Sequence, residues 1–212
     1  TFIDLSAKSL DFMYKRLGYK ESLERAKSLI SLVKNLYKDS ASIYKFSMTT
    51  TTRPKYYKGP FLTMHMFDPH YLCVPSLHVS LSAGVYTWYR NNIDSLNLPK
   101  EEAEWRLEEV RTWAVSIVES VLLVKQHSIN CIPAALYLIT ATNGSDFFSP
   151  SDAIAFIEML FNDTTLISEE DKKAIIIHFN YSYERFFLEG NFCERWQEPV
   201  EHWLTEYGRL NQ

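Results

Sequence analysis

The sequence predicts an all-α fold: a single-domain bundle of about eight helices over residues 1–212. Three observations predict it. Apolar residues recur three and four apart along most of the chain, which is the period of a helix with one buried face. Glycine and proline are scarce, at 6 and 8 residues, too few for a turn-rich β-sandwich. Apolar residues make up 46% and aromatics 15%, so the chain can fill one sizeable core.

The elements follow in order. Residues 4–18 carry Leu10, Met13 and Leu17, and residues 22–38 carry Leu29, Leu32, Val33 and Leu36; Gly18 between them suits a helix C-cap, so the pair reads as a helical hairpin. Residues 46–74 break the pattern. Thr49 to Thr52 run β-branched into Arg53-Pro54, and Gly59-Pro60 and Asp68-Pro69 add further breaks, so a long irregular segment is expected. Such segments are often functional. Helix returns at Ser76 or Leu77, with Leu77, Leu81, Val85 and Trp88 on one face, and ends near Asn91-Asn92.

Pro99-Lys100-Glu101-Glu102 opens the next helix, with proline early and acids in the first turn. A break is expected near Lys125, with apolar helix resuming from Ser128 through Ile139 and a turn at Asn143-Gly144. Ser149-Pro150-Ser151-Asp152 caps a helix to about Phe161. Ser168-Glu169-Glu170-Asp171 opens another that Gly190 closes, and a last helix covers residues 194–209.

Composition narrows the function classes. A net charge of −4 gives no bulk affinity for nucleic acid. Cys73, Cys131 and Cys193 are odd in number and irregular in spacing, against a disulfide framework or a thiolate-built zinc site. The most apolar stretch, Trp113 to Ala141, is interrupted by Glu119, Lys125, Gln126, His127 and Asn130, so no integral membrane span is expected. Thr1 is not a start methionine, so the native N-terminus is expected to be missing. A soluble, cytoplasmic protein is slightly favoured, with an exported or membrane-peripheral one as the alternative.

Two stretches carry chemistry. Val74-Pro75-Ser76-Leu77-His78 opens a helix, where first-turn N–H groups and a partial positive charge favour an anion. Lys125-Gln126-His127 ends an apolar segment further on. Arg53 adds a planar cationic fork. Two histidines facing an anion pocket suit metal-free phosphoryl transfer, one attacking phosphorus and the other protonating the leaving oxygen.

Arg53-Pro54, then Pro75-Ser76-Leu77-His78, then the segment from Ser120 to Lys125-Gln126-His127, resemble the motifs of the type 2 phosphatidic acid phosphatase and vanadium haloperoxidase superfamily, over about residues 45–135. The resemblance implies a bundle of the acid phosphatase type and a phosphate ester, lipid phosphates included, as substrate. It implies His127 as the nucleophile forming a phosphohistidine, and His78 as the acid for the leaving group. It implies phosphate binding by Arg53, Ser76 and the backbone at Leu77. No cofactor is implied beyond vanadate as a phosphate mimic, and halide oxidation with vanadate is a lesser alternative.

The chain departs from this pattern at three positions. Phe46 stands where the family has lysine. Lys45 is one residue early, which in an extended segment turns it to the other face; Lys55 and Lys58 are substitutes. Val121 stands where the family has arginine, a loss of about 1.5–3 kcal/mol of charged hydrogen bonding. Lys125 replaces it only if the helix starts near His127, because residues two apart on a helix diverge by about 200°. Cys131 stands where the family has the aspartate that orients the nucleophile from one helical turn away. By analogy with the serine-protease aspartate, its loss can cost about 10⁴ in rate. Asn130 is a substitute orienter; otherwise Cys131 is an inert buried thiol, and the chain an anion-binding or scaffold module.

The remaining histidines carry less. His65, Asp68 and His70 lack a nearby third ligand and are split by Pro69. His178 and His202 lie among aromatics and read as packing or surface residues.

Overall fold

Residues Leu77–Ile93 form the helix against which four others pack. It is α3 of eight helices in a computed structural model that describes residues 1–51, 59, 62, 63, 66, 71–124 and 127–210. The others are α1 (Phe2–Leu17), α2 (Tyr19–Phe46), α4 (Lys100–Leu123), α5 (Cys131–Asn143), α6 (Pro150–Met159), α7 (Glu169–Gly190) and α8 (Glu198–Leu210). Among the described residues there is no strand, only an isolated parallel bridge between Thr49 and Leu72. None of the described helices is long and apolar enough to cross a membrane.

The central position of α3 follows from its composition. Residues 79–89 are buried without a break, so no polar face is left for solvent, and α1, α2, α4 and α5 surround it. Small residues make this close packing possible. At Gly84 a Cβ would lie 2.9 Å from Leu36 Cδ1, so α2 packs close enough that a side chain there would make the end of Leu36 shift. Trp88 Nε1 donates to Ser28 Oγ at 2.8 Å, and Arg90 pairs with Asp152, fastening α3 to α2 and α6. Helix α5 is the second buried rod, apolar and covered over residues 131–140, with Thr140 and Tyr183 hydroxyls bonded at 2.9 Å to fix α7 against it.

The helix starts obey their local chemistry. Ser149 and Asp152 form a reciprocal capping box around Pro150, and Ser168 caps α7. Gly18, at φ 75°, ends α1 and turns the chain directly into α2.

Three boundaries differ from expectation. Helix α2 runs to Phe46, because buried Ser40 and Ile43 extend the stripe begun by Leu29, Leu32 and Leu36. Helix α5 starts at Cys131 instead of Ser128, and ends at Asn143. Helix α8 starts at Glu198, since residues 191–197 form turns. Of the irregular segment expected over residues 46–74, the described parts at 47–51 and 71–74 lie outside any helix, whereas Phe46 ends α2 and Leu62, Thr63 and Met66 are helical.

Leu36 is wholly buried against α3, so Leu36→Ala is expected to destabilise the protein by about 2–5 kcal/mol. Urea unfolding measures this; an unchanged midpoint would show that α2 does not anchor α3.

Candidate functional site

The site is assembled where α3 and α5 begin. Ser76 N–H donates to the Cys131 carbonyl at 3.3 Å, joining the two helix starts directly. The Ser76 side chain is wholly buried and caps α3, accepting from Val79 N–H at 3.5 Å. The Tyr44 hydroxyl at the end of α2 donates to the Pro75 carbonyl at 2.6 Å. Thr49 holds the strand-like approach: its carbonyl accepts from Cys73 N–H at 3.2 Å, and its hydroxyl from Val74 N–H at 2.8 Å. The residues before α3 are therefore fixed from three sides.

His78 follows Leu77 in the first turn of α3 and is exposed. His127 comes from the turn after α4, which closes when its N–H donates to the Val121 carbonyl at 3.3 Å. The two rings meet edge to face, with centroids 5.6 Å apart and planes at 76°. His127 Nδ1 lies 3.2 Å from the Cys73 carbonyl. A carbonyl only accepts, so Nδ1 carries the proton, and in the neutral ring Nε2 carries the lone pair.

This geometry revises the expectation for Cys131. His127 precedes α5 by four residues and does not share a helical face with Cys131. The Cys131 thiol is wholly buried near Cys73 and Ser76, and burial pushes its pKa well above the usual thiol value. It is a packed, protonated thiol, and the group that holds the His127 ring is a main-chain oxygen. Asn130 Oδ1 accepts from His178 Nε2 at 2.7 Å, so His178, expected only to pack or face solvent, holds the turn that carries His127 against α7.

The cationic residues divide. Lys45 is exposed in the last turn of α2, so its direction is set by helical geometry and the extended-segment argument does not apply. Val121 is buried in α4. Arg53, Lys55, Lys58, His65, Asp68, His70, Lys125 and Gln126 lie outside the described residues. The helical register argued for Lys125 does not hold at His127, because α4 has ended at Leu123 and α5 has not begun.

An open cleft of about 640 Å³ adjoins the turn that carries His127. Ser128, Asn130, Thr49 and Thr51 supply polar lining, and Trp203 and Tyr207 of α8 an aromatic wall. Three contributors were missed in the sequence: the Cys73 carbonyl, Tyr44 and His178. A main-chain acceptor has no residue-type signature. His178 left one faint signal, a polar ring on the inward side of a helix beside Phe179.

Half-burial lowers the pKa of His178. The neutral form is thus favoured in the folded state, while the unfolded chain protonates near pH 6.5. The stability that goes with it is full above that pH and falls as pH drops from there through the folded pKa. His178→Gln should flatten this part of the pH–stability profile, measured as thermal midpoint against pH; an unchanged slope would assign it to other groups. Compared with known protein families, with curated proteins and with solved structures, the chain matches no family model, no curated protein and no structure.

Proposed function

We propose that the protein is a phosphatase or phosphotransferase acting on a phosphate ester through a phosphohistidine at His127, with no metal in the chemical step. One observation carries this reading. His78 and His127, far apart in sequence, have rings in contact, and the bond to Cys73 selects the ring tautomer in which Nε2 carries the lone pair. The motif resemblance to the type 2 phosphatidic acid phosphatase superfamily supports the same roles.

In the proposed reaction Nε2 of His127 attacks phosphorus, an N–P bond forms and the ester P–O bond breaks. His78 gives its proton to the leaving oxygen. Water then attacks the phosphohistidine, His78 takes a proton from it, and phosphate leaves with Nε2 restored. The Cys73 carbonyl stabilises the Nδ1–H of the ring as positive charge develops, as the orienting carboxylate does in a serine-protease triad, but without a full charge. Arg53, Lys45, Lys125 and the first-turn N–H groups at Leu77 are the candidates for the phosphoryl oxygens. In-line attack needs about 3–3.5 Å from nitrogen to phosphorus, so the two rings part from their edge contact as the phosphoryl group enters. The aromatic wall of the neighbouring cleft favours an ester with an apolar group, a lipid phosphate among them.

Turnover of p-nitrophenyl phosphate and of lipid phosphates tests the proposal. His127→Ala is expected to abolish it, and His78→Ala to lower it by about 10²–10⁴-fold. Equal rates in wild type and His127→Ala would overturn it.

A second reading rests on Cys131 and Val121, both buried where the resemblance implies polar groups: an anion-binding module without turnover. Cys131→Asp separates the two. With His127 already held by Cys73, the variant is expected to unfold at lower urea and to gain no activity. A large gain would mean that a carboxylate at 131 was the missing part.

A further inference from the structure

The turn between α7 and α8 gathers side chains that this chemistry does not use. Glu189 lies in the last turn of α7, and Cys193 in the turn that follows. Glu198 opens α8, and His202 stands one helical turn further on the same face. A Glu189 oxygen, the Cys193 sulfur and a His202 ring nitrogen all lie within 4.8 Å of one another. Among the described residues this is the one such group of three or more histidine, cysteine and acidic side chains. Glu198 stands near enough to the Cys193 thiol to act on it electrostatically. The four come from one short stretch in the order Glu-X3-Cys-X4-Glu-X3-His.

We propose that Glu189, Cys193 and His202, with Glu198 as the fourth ligand, bind one divalent transition-metal ion of the zinc class. The donor set selects the metal. One thiolate, one imidazole and carboxylates make a borderline-soft site, which suits zinc and its neighbours and not magnesium or calcium, whose ligands are oxygen alone.

The geometry is close to what such an ion needs. Bonds of about 2.0–2.3 Å in a tetrahedron put donors roughly 3.5 Å apart, so the wider pairs close by about 1 Å and the His202–Glu189 pair opens by as much. Side-chain rotation supplies this, because His202 is exposed and the other three are half-buried. The 2.5 Å contact of His202 Nδ1 with Glu189 Oε1 holds a proton where the ion would bind, and binding releases it together with the Cys193 proton.

Charge points the same way. The Glu198 and Glu189 carboxylates bring negative charge up to the Cys193 sulfur, which a divalent cation would offset. The neighbouring cations are otherwise directed. Arg185 reaches Glu206 at 2.6 Å and stands 4.0 Å from Glu189 Oε2, leaving Oε1 to the cluster. Arg195 pairs with Glu201 at 2.7 Å and touches Glu198 through Oε1 alone. Bound metal would fasten α8 to α7, and with it the cleft wall formed by Trp203 and Tyr207.

The test uses the full chain stripped with a chelator. Zinc is titrated against a chromophoric chelator, and cobalt by absorption. The expected results are one ion per chain, a thermal midpoint that rises with zinc, and a thiolate-to-cobalt charge-transfer band. Cys193→Ser should abolish the band, and Cys193→Ser and His202→Ala should each weaken zinc binding by at least about tenfold. Neither position is in the core, so helix content by circular dichroism should be unchanged. Zinc binding in both variants equal to wild type, or no charge-transfer band in wild type, would overturn the proposal.

Discussion

The hydrogen bond from Ser76 N–H to the Cys131 carbonyl fixes how the two buried rods of the bundle begin. Everything at the candidate site depends on it. Helices α3 and α5 are both buried over most of their length, and side-chain packing alone tolerates sliding along their axes. A main-chain bond between their first residues removes that freedom. Ser76 adds its own cap to α3, and the Cys131 thiol fills the same buried spot. The position held by aspartate in the resembled family is here spent on joining helices. An uncharged, compact residue fits this wholly buried spot, where a carboxylate would carry a desolvation cost.

Once the junction is set, the histidines follow by short connections. His78 is the second residue of α3 and cannot move without it. His127 is reached through a turn pinned at both ends, by Val121 on one side and by the bond between Asn130 and His178 on the other. Tyr44 and Thr49 brace the remaining approach. Five helices and one irregular segment thus converge on two imidazoles through hydrogen bonds from different elements.

Much of the bundle was legible because its signals are local. Ser149-Pro150-Ser151-Asp152 and Ser168 announce helix starts through their own side chains, and Gly18 marks an end through its backbone. The stripe of α2 was misjudged past residue 38 because Ser40 is a polar residue in a buried position, which hides the period. Pairing of His78 with His127 was legible only through motif order, since no local rule connects residues so far apart. The oxygen of Cys73 was not legible at all: every residue has one, and only the fold decides which carbonyl points at an imidazole. Likewise, no local rule joins Glu189, Cys193 and His202, and their convergence depends on how α7 turns into α8.

The ring of His127 is held by a peptide oxygen, and this has a consequence for acid conditions. A carboxylate in that role lets go when it is protonated, near pH 4 for an ordinary aspartate, and the imidazole then loses both its tautomer and its direction. A peptide carbonyl takes up no proton anywhere in the range where the bundle survives. The tie between Cys73 and His127 is therefore one whose acceptor does not titrate.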